Sequence, residues 1–205
     1  MAELRQRKRA EARQRISDRA TRLFERHGFE KVTLAEIAAA ADVSVKTVMN
    51  YFGAKEDLFF DAEPAICDEL AAAVSRRGPT SATSALRPLI VESPILAGPC
   101  PWDSIDDAMW DSMRVWAECE WNSPTLRARR ASLLQSWMAP LTAASGSAAW
   151  AAMLIGVLLL RHAVVQDGLI GRQTPNEVER HVRSAVGEAL DALERGFQAT
   201  DRRDS

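Results

Sequence analysis

Apolar residues recur at intervals of three and four along most of the chain, and no alternating apolar–polar run stands out. Val, Ile and Thr are sparse, while Ala, Leu, Arg and Glu are abundant, so the pattern predicts an all-α protein. A first helix is expected from about Arg7 to His27. Ile16, Ala20, Leu23 and Phe24 form its stripe, and Gly28 follows its end. A second helix opens at Thr33, where Thr33-Leu34-Ala35-Glu36 has the form of a capping box. Leu34, Ile37, Ala38 and Ala41 make its buried face. Asp42-Val43-Ser44 then breaks the period; Asp tolerates the left-handed conformation of a sharp turn, though less readily than Gly. Ser44 is a good N-cap for a short third helix, Val45 to Phe52. Val48 and Phe52 can pack inward there, which leaves Lys46, Thr47, Asn50 and Tyr51 pointing elsewhere.

Gly53 ends that helix, and a fourth is expected from about Ala54 to Arg76. Pro64, inside this span, kinks it or delays its regular part. Further helices are expected over about 81–91, 103–121, 125–144, 148–168 and 175–198. A Pro/Gly-rich loop lies at 93–101, Asn122-Ser123-Pro124 makes an interruption, and a polar tail covers 201–205. The last helix starts with Pro175 after Thr174, with acidic residues in its first turn.

Charge sharpens this picture. Net charge is −2, but residues 1–60 hold 12 Lys/Arg against 9 Asp/Glu, and the remainder holds 14 against 19. A basic front and an acidic rear suit a protein that meets a polyanion with one end. Arg5-Gln6-Arg7-Lys8-Arg9 forms a basic arm, readable as a DNA contact or as a solvated helix start. Cys67, Cys100 and Cys119 have no metal-type spacing and read as reduced cytosolic thiols, and no cofactor is expected. The charged N-terminus has no apolar segment of a secretory signal, so a cytoplasmic location is expected. The longest apolar run, Ala148 to Leu160, is 13 residues, short of the roughly 20 that span a bilayer, so no membrane partner is expected. The histidines, His27, His162 and His181, pair with nothing at metal or catalytic-triad spacing, which argues against an enzyme.

A capped helix, a tight turn and a short second helix with a polar outer side make a helix-turn-helix, which docks in the major groove of double-stranded DNA. The segments Thr33-Leu34-Ala35-Glu36-Ile37-Ala38, Ala41-Asp42-Val43-Ser44, Thr47-Val48-Met49-Asn50-Tyr51-Phe52 and Lys55-Glu56-Asp57-Leu58 resemble the DNA-binding domain of the TetR family of transcriptional regulators. The resemblance implies an N-terminal three-helix DNA-binding domain, drawn at residues 1–56, and a C-terminal helical ligand-binding and dimerisation domain, at 57–205. It also implies a palindromic operator and an effector whose binding weakens DNA binding. A ligand-responsive repressor is therefore expected, the alternative being an activator or a ligand-independent DNA-binding protein of the same fold.

On that resemblance Thr33 caps its helix and touches a phosphate. The N-cap Ser44 is counted with the DNA-binding residues, and Val45 and Lys46 behind it sit where side chains reach base edges: Lys46 can donate to guanine, and Val45 can meet a thymine methyl. Asn50 reads adenine or faces water. Thr47, Tyr51 and Lys55 match phosphate-binding positions. Two residues depart from the family pattern: Asp42, where Gly is common, and Met49, where Tyr is common.

In the C-terminal region the six tryptophans fall between 102 and 150, interleaved with methionines. Such a cluster is the composition of a helical core, and equally of an adaptable apolar cavity for a hydrophobic or aromatic small-molecule effector. On the second reading Trp110, Met113, Arg114, Trp116, Trp137 and Met153 are the candidate ligand residues. The last two helices carry stripes through Ala148, Ala152, Ile155, Gly156 and Leu159, and through Val178, Val182, Ala185, Val186, Ala189 and Leu193. The resemblance implies that they pair with their two-fold mates in a homodimer; otherwise they are core.

Overall fold

In the computed structural model, residues 2–96 and 100–201 are described, with side chains for 5–96 and 100–197. The protein is all-α, with no strand among the described residues. Of the expected tail, residues 202–205 lie outside this range, as do 97–99 of the Pro/Gly-rich loop. Helix α1 spans Ala2–His27, α2 Leu34–Ala40, α3 Val45–Phe52 and α4 Lys55–Phe59. Next come α5 Glu63–Ser75, α6 Ala82–Ile90, a short 3₁₀ turn at Trp102–Ser104, α7 Asp107–Asn122 and α8 Pro124–Ser136. Helices α9 Met138–Ser145, α10 Ala148–Ile170, α11 Pro175–His181 and α12 Gly187–Asp201 complete the order. Helix α11 runs into α12 through a π-helical turn at Val182–Val186.

Two segments expected as single helices are each two. The fourth stops at Phe59 and restarts as α5 with Pro64 in its first turn, where a missing N–H costs nothing. The helix expected over 125–144 breaks at Trp137, because Pro140 cannot donate to the carbonyl of Ser136.

The chain clusters into two compact units. Unit 1 contains residues 1–61 together with 118–129; unit 2 contains 62–117 and 130–205. The expected linear cut at 56/57 took no account of 118–129.

Unit 1 is held by Ile16, Ala20 and Phe24 of α1 with Ile37, Ala38, Val48, Phe52 and Leu58, all buried. Phe24, Phe29 and Phe59 pack ring to ring, with centroids 5.2–6.0 Å apart. The 118–129 segment contributes the buried Leu126, and the Ser123 hydroxyl donates to Glu30.

Unit 2 has a separate core in which Trp102, Trp110, Trp137 and Trp150 are buried with Leu70, Leu86, Leu154 and Val182. The Trp150 indole donates to the Thr83 hydroxyl at 2.9 Å, and Trp102 to the Val91 carbonyl at 3.0 Å. Arg161 lies fully inside this unit and donates to the carbonyls of Ile90, Ser93 and Pro94 at 2.7–2.9 Å; burial lowers its pKa to about 10. Helix α10 has 23 residues and is long and apolar enough to cross a membrane by composition. It serves here as a core helix, with Trp150, Ala151, Leu154 and Leu158 buried on one side.

Candidate nucleic-acid interface

The helix pair α2–α3 is built by local chemistry that can be followed bond by bond. The Thr33 hydroxyl oxygen accepts from the Glu36 amide at 3.2 Å, and the Glu36 carboxylate accepts from the Thr33 amide at 2.7 Å. That backbone bond, and then the Thr33 hydroxyl, hold the Glu36 carboxyl below its usual pKa. Helix α2 ends in a Schellman-type turn. The Val43 amide donates to the Ala38 carbonyl at 3.0 Å and the Asp42 amide to that of Ala39 at 3.2 Å. Asp42 takes the left-handed conformation this needs, with φ +55°. Arg15 of α1 reaches the Ala41 carbonyl at 3.4 Å and ties the turn down. Ser44 caps α3, its hydroxyl oxygen accepting from the Thr47 amide at 3.0 Å. Gly53, at φ +69°, closes α3.

This sets the face that α3 presents. Val48 and Phe52 are buried, whereas Val45, Lys46, Met49 and Asn50 are exposed. Thr33 and Ser44 are exposed beside them, and Thr47 and Tyr51 are half-buried. The helix carries Lys46 and no acidic residue. A slim helix with its inner edge anchored and an exposed, non-acidic outer edge can enter a major groove.

Lys55 stands apart from the other candidates. Its ammonium donates to the carbonyls of Phe29 and Val32, at 3.0 Å each, and lies 4.1 Å from the centre of the Phe29 ring. Those bonds hold the α1–α2 loop, so the side chain expected to anchor a phosphate is engaged inside unit 1.

The structure adds two arginines of α1. The Arg9 guanidinium lies 5.8 Å from the Tyr51 ring centre, and that of Arg13 4.7 Å from the Phe52 ring while pairing with Asp61. Arg9 belongs to the basic arm. Arg13 went unread, although it lies four residues beyond Arg9 and so on the same side of a helix.

The six candidate ligand residues are not gathered in one place. Trp110 and Trp137 are buried in the core of unit 2, with Met113 against it, and the Trp110 indole donates to the Gln173 carbonyl at 3.1 Å. Arg114 is paired with Asp111 at 2.7 Å, and Trp116 is half-buried. Met153 does not join them: it is 50% exposed, whereas Trp150 and Leu154 on the same helix are buried. A cleft of about 680 Å³ with Arg77, Thr83, Ser147, Trp150, Glu194 and Phe197 in its walls is lined by none of the six.

The two terminal stripes also part company. Val178, Val182, Val186 and Leu193 are buried within unit 2, so this stripe is core, as its alternative reading had it. On α10, by contrast, Ala152, Met153, Gly156, Leu159 and Leu160 are exposed.

Burial pushes the Cys67 thiol up to about 11 and also raises that of Cys119, which disfavours the nucleophilic thiolate at both. Among the described residues there is no group of three His, Cys, Asp or Glu able to hold a metal.

Residues 16–62 match the sequence profile of the bacterial regulatory proteins of the tetR family. Two crystal structures of NalD from Pseudomonas aeruginosa share the fold: one is 18% identical, with 88% of this chain and 97% of that one covered and a TM-score of 0.55. The other is 15% identical over 88% and 95%, with a TM-score of 0.54. A structure from Rhodococcus sp. assigned to the same family is 18% identical over 88% and 99%, with a TM-score of 0.51. Among curated proteins, no sequence matches.

Proposed function

The chain belongs to the TetR family of transcriptional regulators, and on that premise we propose that it is a repressor that binds a palindromic operator as a homodimer in the cytoplasm and is released by a small hydrophobic effector. The observation that carries the reading is α3: capped at both ends, anchored by Val48 and Phe52, and turning Lys46 and Asn50 outward with no acidic side chain to repel DNA. In this reading Lys46 and Asn50 read base edges, and Thr33, Thr47 and Tyr51 face phosphates. Lys55 contributes by holding the loop before α2 rather than by its charge.

The exposed face of α10 supports the homodimer. Met153, Leu159 and Leu160 are large apolar side chains at 37–50% exposure, and Ala152 and Gly156 between them leave room for a second helix to approach closely. One short recognition helix makes a small contact; two on a two-fold axis cover both half-sites of a palindrome. The effector is read from the Trp-rich interior of unit 2, where Trp102, Trp110, Trp137 and Trp150 are buried among aliphatic side chains and the adaptable Met113 and Met138 pack against them. NalD, described as the secondary repressor of a multidrug efflux pump, has the same fold and agrees with the repressor reading.

The test is selection of duplexes from a random pool by the full-length protein, followed by gel shifts. We expect an enriched palindrome whose affinity falls steeply with salt and weakens when Lys46→Ala or Asn50→Ala is introduced. Wild-type affinity in both variants would refute the assignment of base-reading residues. Sedimentation of Leu159→Glu should show a monomer where the wild type is a dimer, and a dimeric variant would remove α10 from the interface. Unchanged operator affinity across a broad library of apolar compounds would make the protein a ligand-independent regulator.

A further inference from the structure

Helix α3 bears two apolar side chains on its outer face: Val45, which the family resemblance puts where it can meet a thymine methyl, and Met49, which departs from the family pattern and has been given no task. Val45 is 41% exposed and Met49 40%. Among the described residues of 5–61 they are the large apolar side chains left exposed, and they lie four apart on one short helix.

The geometry of the helix says where they point. Successive residues turn by about 100°, so Val45 and Met49 lie on one edge of the exposed arc and Thr47 and Tyr51 on the other, with Lys46 and Asn50 between. The Thr47–Tyr51 edge is polar: Thr47 shares a hydrogen bond with the Ser44 hydroxyl, and Tyr51 has Arg9 beside its ring. The Val45–Met49 edge offers no hydrogen-bond donor and only a weak acceptor in the Met49 sulfur. A phosphate facing it would lose water and gain nothing.

The edges of the bases in a major groove are nearly all polar. The exception is the 5-methyl group of thymine, an apolar group at the groove surface. We infer that Val45 and Met49 form an apolar reader that grips thymine methyl groups in the operator half-site, beside bases read by Lys46 and Asn50. This rests on the DNA-reading function proposed above and adds the base class it selects.

The experiment uses the duplex enriched by the full-length wild-type protein. Each thymine is replaced in turn by deoxyuridine, which keeps the base-pairing and groove hydrogen-bonding groups and removes only the methyl. The expected result is a loss of about fourfold in affinity per methyl at one or two thymines of each half-site, and none elsewhere. Val45→Ala and Met49→Ala should weaken binding to the thymine-containing duplex by a similar factor. They should also abolish the uracil effect at those same positions, while low-salt binding to non-specific duplex stays at the wild-type level and reports intact folding. A flat uracil scan with the wild type overturns the inference, as does a uracil effect that persists in both variants. In either case the enriched sequence itself leaves the DNA-reading function standing. A pool that yields no enriched sequence removes that function, and the inference falls with it.

Discussion

Lys55 separates two accounts of one residue, and its replacement by Met decides between them. Lys55→Met keeps most of the aliphatic stem and deletes the ammonium. The wild-type ammonium makes two hydrogen bonds, to the Phe29 and Val32 carbonyls, and one contact with the face of the Phe29 ring. Hydrogen bonds to charged groups contribute ~1.5–3 kcal/mol each, and an exposed cation–π contact ~0.5–1. Lys55 is half-buried, so water replaces part of what is lost and discounts the lower-end sum of about 3.5 kcal/mol to roughly 2–3 for the set. That is about a 30- to 140-fold rise in the opening equilibrium of the loop before α2. Hydrogen exchange read on peptides covering 28–36 should speed up by that factor, with exchange in α10 unchanged. If Lys55 instead held a phosphate, the variant would exchange like the wild type. Its operator affinity would fall alike for all sequences, and the salt slope would be shallower by about one. Exchange within threefold of the wild type, with that shallower slope, would refute the structural role.

Three further outcomes follow. Asp42 at φ +55° strains a residue that Gly would relax, so Asp42→Gly should raise thermal stability, with Asp42→Ala below it by ~1 kcal/mol; Ala at or above Gly would show no left-handed strain in the turn. The Glu36 carboxylate is held below its ordinary pKa of 4.5 by the Thr33 cap, so its contribution is full above 4.5 and is lost as pH falls through the lowered value. An NMR titration should place Glu36 below 4.5, and Thr33→Ala should return it towards that value; an unshifted wild-type titration would deny the capping box. Gly168 has no room for a side chain, since an added Cβ would lie 2.4 Å from a Val178 methyl. Helix propensity favours Ala by ~1 kcal/mol, but overpacking costs ~1–3, so Gly168→Ala should lower the melting temperature, and a rise would show that α11 yields.

What could be read from the sequence was what is decided within a few residues. The Thr33, Ser44 and Thr174 caps, the turn at Asp42 and the bounds of α3 all rest on bonds spanning three to five positions. The break at Trp137 is equally local, yet the single helix expected over 125–144 passed over Pro140. Other features depended on distant partners. The carbonyls that engage Lys55 lie 23 and 26 residues away, and no spacing rule reaches them. Helix α10 is apolar on most of its circumference, so composition could not separate Leu154, which faces the core, from Leu159, which faces out. The same ambiguity let Met153 pass as a pocket residue.

The inclusion of 118–129 in unit 1 bears on how such a protein can be recombined. Unit 1 is discontinuous: its N-terminal residues are completed by a stretch more than fifty positions downstream, which brings Leu126, Ser123 against Glu30, and Arg129 against Asp57. A chimaera made by exchanging only the first sixty residues would therefore join an incomplete unit to a foreign remainder. Glu30 and Asp57 would then meet whatever the recipient places at 123 and 129. On the function proposed above, operator specificity would be transplanted most simply by changing the outer face of α3 alone, because Val45, Lys46, Met49 and Asn50 are exposed and carry no part of either core.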